Sequence, residues 1–227
     1  MAKKAIVLWS GGIDSTVCLY RCLRDGYDVH ALYFDYGQQS LMGDLQAIHN
    51  LTHAVKRLDF PGHYCGRVTV QHNAGSHYVC GGDAVEYAEG MTPLLVPGRN
   101  TLFAMTAYGQ AVSLGAEIVV IGINSSVHED GELPYPDCTP HWVAIVSTLF
   151  EWENTGLARD AVKPKFRAPL IKHLKDEIVA EAKELGVPLE HTWGCFFPTV
   201  TKDTMGRDQL SPCGKCGSCM QRKGLDL

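Results

Sequence analysis

The chain lacks any run of roughly 18 uncharged apolar residues, the length a helix needs to cross a bilayer. No membrane association is expected. Excess basic charge is also missing: 20 lysines and arginines stand against 25 aspartates and glutamates, a formal net charge of −5. That balance argues against a broad surface for nucleic acid or anionic lipid. Internal repeats and low-complexity tracts are absent, and Met1-Ala2-Lys3-Lys4 leads into a strand pattern instead of a signal peptide, so a cytoplasmic location is expected. What is left is a globular chain of 227 residues, 45% hydrophobic and 20% charged, long enough for one α/β domain with a small appendage.

Two familiar phosphate-binding signatures are missing although a glycine pair is present. No lysine follows the glycines of Ser10-Gly11-Gly12-Ile13-Asp14-Ser15, which excludes G-x-x-x-x-G-K-[ST]; the third glycine of G-x-G-x-x-G is missing too. The string nevertheless joins the apolar run Ala5 to Trp9 to a helical pattern that continues from Thr16 to Arg24. A buried strand that ends in small residues and enters a helix leaves backbone N–H groups free to face an anion, and the helix N-terminus adds about half a positive charge. The bland alternative is a tight strand-to-helix turn capped by Asp14 or Ser15.

Strand-like runs at Ala5 to Trp9, Val29 to Phe34, Val68 to Val70 and Ile118 to Ile123 alternate with helical patterns at Ser15 to Arg24, Gly43 to Leu58 and Thr101 to Leu114. This order predicts an α/β fold with a doubly wound parallel sheet. Ligands of such sheets bind beyond the carboxyl ends of the strands, where the glycine loop, the Tyr36-Gly37-Gln38 turn and the Asn124 segment are expected to gather. Residues Gln71 to Thr92 lose periodicity and read as an excursion over that face. Helical patterns follow at Trp142 to Trp152 and His173 to Leu185, the second stopped by Gly186-Val187-Pro188. Apolar residues of the first of these suit a core or a homodimer contact.

Nine cysteines is an odd count, but Cys195, Cys213, Cys216 and Cys219 form C-x17-C-x2-C-x2-C, which suits tetrahedral Zn2+ better than a disulfide framework. Incidental thiols or a redox dithiol is the competing reading, and His191 is a substitute ligand. Four sulfurs leave no open position, so such an ion is structural. Of the other five cysteines, Cys18 and Cys22 lie one helical turn apart in an apolar stripe and read as small buried hydrophobes. The expected division is a nucleotide-handling domain over 1–190 and a cysteine module over 191–227 packed on it.

The S-G-G-x-D-S string resembles the signature of the N-type ATP pyrophosphatases, the PP-loop superfamily. Phe34-Asp35-Tyr36-Gly37-Gln38, Val96-Pro97-Gly98-Arg99-Asn100, Tyr135-Pro136-Asp137-Cys138, Thr192-Trp193-Gly194-Cys195 and Gln221-Arg222-Lys223-Gly224-Leu225 follow in order with the cysteines, and the whole resembles the 7-cyano-7-deazaguanine synthase family. The resemblance implies a synthase that takes 7-carboxy-7-deazaguanine, ATP and ammonia to the nitrile, with Mg2+ accompanying the nucleotide. It implies an ATP site at Leu8, Trp9, Ser10, Gly11, Gly12, Ile13, Asp14, Ser15 and Thr16, with Asp14, Ser15 and Arg99 taking part in catalysis. Tyr36, Gln38, Arg99, Asn100, Tyr135 and Asp137 would meet the substrate. Arg99 is suited to a phosphate or carboxylate and Asp137 to the N1–H and amine of a guanine-like ring. Arg99 as a loop brace and Asp137 as a helix cap are the competing readings.

Two strings depart from the family pattern. Gln39-Ser40 stands where a basic residue and a histidine are usual, and His128-Glu129-Asp130-Gly131-Glu132-Leu133-Pro134 replaces a short Asp-aromatic-Ser-Gly element. A relative that stops at the amide, or joins the acid to an amine of a protein or nucleic-acid partner, is therefore a second expectation. A zinc-ribbon nucleic-acid binder using Lys215, Arg222 and Lys223, and a tRNA-thiolating enzyme, are weaker ones. His128 and His141 are the histidines nearest the altered segment, and no general base is assigned.

Overall fold

The computed structural model of the chain describes residues 2–71, 96, 98–125, 135–202, 205–206 and 208–227. Its main sheet has five parallel strands in the order β3-β2-β1-β4-β5: β1 Lys4–Leu8, β2 Asp28–Asp35, β3 Tyr64–Gln71, β4 Ile118–Ile121 and β5 Lys165–Arg167. Helices α1 Ile13–Arg24, α2 Leu41–Val55, α3 Arg99–Leu114, α4 Pro140–Asn154 and α5 Lys175–Glu184 flank it. An antiparallel pair, β6 Thr199–Lys202 and β7 Asp208–Ser211, precedes a last helix, α6 Gly217–Gly224. The expected doubly wound α/β architecture is present.

Strand β1 shows why both faces are covered. Successive strand side chains point to opposite faces; Ala5 and Val7 join one buried cluster with α1, α2 and α5, while Ile6 and Leu8 join another with α3 and α4. A strand apolar at every position can only be buried on both sides. Cys18 and Cys22 are buried in the first cluster, as their spacing predicts.

Several boundaries differ from the sequence reading. Strand β4 ends at Ile121 because the next residue, Gly122, meets the backbone of α1: a Cβ there would lie 2.6 Å from the amide nitrogen of Ser15. Helix α2 runs from Leu41 to Val55, and α3 begins at Arg99, two residues before the expected Thr101, after Gly98 takes a left-handed φ of 74°. Helix α4 begins at Pro140, with Thr139 accepting from the Trp142 amide as its cap. Asp137 therefore is not that cap; it lies in a 3-10 turn over Pro136–Cys138. Strand β5 was missed because Phe166 is its one buried residue, between Lys165 and Arg167. The hairpin β6–β7 was missed as well, its first strand being exposed throughout. The excursion expected over Gln71 to Thr92 falls, beyond Gln71, outside the described residues, as do Cys80 and the segment from His128 to Pro134. Among the described residues no helix is long and apolar enough to cross a membrane.

Candidate active site

The glycine loop leaves β1 and enters α1 with Gly11 at φ 80°, a left-handed conformation that side chains resist. A Cβ on Gly11 would also come within 3.0 Å of the Ala47 Cβ. The loop is braced internally: the Ser10 amide donates to Ser15 Oγ at 3.3 Å, the Gly12 amide to Ser10 Oγ at 3.4 Å, and Ser15 Oγ to the Gly12 carbonyl at 3.1 Å. Thr16 is fully buried; its hydroxyl donates to the Gly12 carbonyl at 2.8 Å and accepts from the Trp9 indole at 3.0 Å. No side chain caps α1. Asp14 does not cap the helix, and Ser15 braces the turn by accepting from the Ser10 amide without being the N-cap.

A cavity of about 380 Å³ opens beside this loop. Leu8, Trp9, Ser10, Gly12, Ile13, Asp14 and Ser15 line it, whereas Gly11 and Thr16 shape the loop from behind. Tyr36, Gln38, Arg99, Asn100 and Tyr135 line it too; Asp137 does not. The opposite wall is aromatic: Phe34 and Phe103 stack at 3.9 Å between centroids, and Tyr36 lies tilted 5.5 Å from Phe103. Arg99, in the first turn of α3, donates to the Tyr36 hydroxyl at 3.2 Å and sits 5.5 Å from that ring's centre. Gln38 is buried, with its amide committed to Tyr33, Phe34 and Asp44.

Lys175 was not singled out from the sequence, yet it enters this cavity from the first turn of α5 and forms an ion pair with Asp14. The Asn124 side chain donates to the other Asp14 oxygen at 2.7 Å. A lysine in a helix's first turn opposes the helix dipole, and that was the available signal. The loop that lacks a lysine of its own thus receives one from a distant helix. Arg21, further along α1, pairs with Glu181 and so holds α5 against α1.

The cysteine module closes the cavity. Trp193, Gly194, Cys195, Phe196, Phe197, Ser218, Gln221 and Arg222 all line it. The Trp193 amide donates to the Gly11 carbonyl at 3.0 Å, and its indole fills the space a side chain on Gly43 would need, 2.2 Å from an ideal Cβ. Arg222 points inward, donating to Thr192 Oγ1 at 2.9 Å and the Leu189 carbonyl at 3.3 Å. It is therefore not part of an outward basic face, which weakens the nucleic-acid reading.

The sulfurs of Cys195, Cys213, Cys216 and Cys219 lie within 4.8 Å of one another, with Cys213 and Cys219 at 3.9 Å. Four sulfurs held about 2.3 Å from one ion stand about 3.8 Å apart, so the cluster fits a tetrahedral metal. The backbone amides of Lys215 and Cys216 help pull the Cys213 thiol down to about 6, against the cost of burial. His191 is not among this ligand group.

A family model described as queuosine biosynthesis protein QueC matches residues 4–225. The chain belongs to this family. Among curated QueC-type relatives, a 7-cyano-7-deazaguanine synthase of Nostoc punctiforme is 32% identical over 96% of this chain and 92% of its own length. One from Microcystis aeruginosa is 35% identical over 98% and 90% respectively. A solved structure of a 4-thiouridine synthetase–RNA complex with bound ATP is similar with a TM-score of 0.49 and 20% identity, covering 83% of this chain and 42% of that one.

Proposed function

We propose that this QueC-family chain is an ATP-dependent C–N ligase that converts 7-carboxy-7-deazaguanine and ammonia to 7-cyano-7-deazaguanine, releasing AMP and pyrophosphate. The observation that carries the proposal is the single cavity shared by an anion-cradling loop, a stacked aromatic wall with an arginine, and the cysteine module. The family's curated names support the substrate class.

A carboxylate resists attack by ammonia because its oxygen leaves badly. Transfer of AMP to that oxygen makes a good leaving group, ammonia then forms the amide, and a second adenylation on the amide oxygen lets AMP depart as the nitrile forms. The residues contribute by positioning and by offsetting charge. The Ile13 backbone N–H and the Ser10 hydroxyl face the phosphates, with the N-terminus of α1 behind them, while Ser15 and the Gly12 amide hold the loop in shape. Lys175 exchanges its Asp14 partner for phosphate oxygen. Asp14 would then be free to hold Mg2+, which when bound would supply charge neutralisation beside the phosphates. The flat deazapurine lies against Tyr36 and Phe103, and Arg99 meets its carboxylate or the phosphate of its adenylate. Asn100 and Tyr135 hold the ring edge. Cys195, Cys213, Cys216 and Cys219 would hold Zn2+, which would fix the fold of the module and, with four sulfurs, would leave no position for substrate.

The test is mass spectrometry of a reaction containing the protein, ATP, Mg2+, ammonium and the acid, with pyrophosphate measured in parallel. Nitrile together with AMP and pyrophosphate is expected. Adenylate or amide without nitrile would instead indicate the relative that stops early or uses another amine, and no ATP turnover with this acid would sink the proposal.

A further inference from the structure

The cavity holds a carboxylate that none of these steps uses. Asp44, in the first turn of α2, lines the cavity beside the glycine loop. Its Oδ2 accepts from the Ser40 hydroxyl at 3.0 Å, the Tyr33 hydroxyl at 3.2 Å and the Gln38 amide at 3.2 Å. All three donors are neutral. Among the described residues Asp44 has no ion pair, and Oδ1 has no partner.

The charged neighbours are otherwise engaged. From the loop, Asp14 holds Lys175. On β3, Arg67 sits over the Tyr33 ring, 5.8 Å from its centre. Arg222 of the cysteine module, which packs against α2 through Trp193, is bound to Thr192 and Leu189. Asp35 and Tyr36 lie at the end of β2 beyond Tyr33, and Gln39 and Ser40 carry no charge. Burial pushes the Asp44 carboxyl up to about 6, with the three donors opposing the rise. Asp44 is half-buried, so its carboxylate has lost part of its hydration and has neutral donors alone in exchange, and a cation beside it offsets that loss.

The cation that fits is small, rich in N–H donors and required by the reaction: the nitrogen source is ammonium at neutral pH. We propose that Asp44 is the ammonium-binding residue, its Oδ1 accepting an N–H in the cavity while Tyr33, Gln38 and Ser40 hold Oδ2 in place. This rests on the amide-forming reaction proposed above. In the step it serves, one N–H bond breaks and its proton passes to Asp44 Oδ1. The freed lone pair forms the C–N bond to the acyl carbon, the carbon–oxygen bond to AMP breaks with its electron pair on AMP, and the second proton leaves with the phosphate.

The experiment compares wild type with Asp44→Asn and Asp44→Glu. Pyrophosphate–ATP exchange with the acid and no ammonium reads adenylation, amide and nitrile formation against ammonium chloride at constant ionic strength reads the amine, and hydroxamate formation with hydroxylamine, neutral at this pH, bypasses the cation site. Asp44→Asn is expected to keep exchange and hydroxamate formation while its KM for ammonium rises about tenfold or more, and Asp44→Glu to recover part of the loss. Replacing sodium chloride by ammonium chloride should raise the Tm of wild type and not of Asp44→Asn. An unchanged KM for ammonium, or loss of exchange in both folded variants, overturns the assignment. Were wild type to lack exchange with this acid, the proposed reaction would fail by itself, and the ammonium-dependent Tm shift, present or absent, would decide the site alone.

Discussion

Lys175 supplies the positive charge that its glycine loop lacks, and it does so from a helix start where lysine is electrostatically disfavoured. A lysine standing against the helix dipole and paired with Asp14 suits the phosphate contact proposed for it. Lys175→Met should lower kcat/KM for ATP in the exchange assay by about a hundredfold, with Lys175→Arg retaining part of it. The Tm should fall by a few degrees as well, because the pair is largely buried and Lys175→Met leaves the Asp14 carboxylate with Asn124 as its remaining partner, so the kinetic loss is read on folded protein. Asp44 gives the opposite kind of prediction. Its folded pKa stands at about 6 against an ordinary 3.8, so the protonated form is favoured in the folded state. The associated stability is present below pH 3.8 and lost as pH rises through about 6, a change of the order of 3 kcal/mol. Asp44→Asn removes that dependence. The difference in Tm, variant minus wild type, should therefore become more positive between pH 4 and pH 7.5 in thermal scans at low salt.

At the scale of elements, the legible parts were those with strong local signals. Strand β1 and the loop after it could be read because an all-apolar run must be buried on both faces and paired glycines must turn. Helices α1, α3 and α5 followed from their apolar spacing, with ends displaced by a residue or two. Strand β5 was hidden because a three-residue edge strand with one buried side chain has no periodicity to detect. The site was legible where motif and loop coincide; it was illegible where a side chain reaches the loop from another helix on the same face of the sheet, as with Lys175 and Asp44, or where a residue works by being absent. Gly122 belongs to that last class. Its backbone passes so close to the first turn of α1 that a methyl group would lie 2.7 Å from the Asp14 carbonyl carbon and Ser15 Cα. Gly122→Ala should push the glycine loop off its position. The expected outcome is a KM for ATP raised about tenfold with a Tm lower by several degrees, read by the exchange assay and by calorimetry.

Across the whole molecule, the cysteine module joins parts that are far apart in the chain. Trp193 ties it to the Gly11 carbonyl and fills the notch at Gly43; Arg222 ties α6 back to Leu189 and Thr192; and Leu225 and Leu227 pack on the cluster that includes α1. Metal at the four cysteines would thus hold a wall of the cavity without touching the reacting atoms. Two predictions separate these roles. Cys213→Ser, or prolonged chelation, should remove the metal, lower the Tm and reduce exchange about tenfold or more, because Phe196, Phe197, Ser218 and Gln221 lose their support. Loading the four cysteines with cobalt instead of the proposed zinc should preserve both Tm and exchange within about threefold while adding sulfur-to-cobalt charge-transfer absorption, since a closed four-sulfur site would fix geometry and offer no position to substrate. A large loss of turnover in the cobalt form with an unchanged Tm would give the ion a part in the chemistry that the four-sulfur geometry denies it.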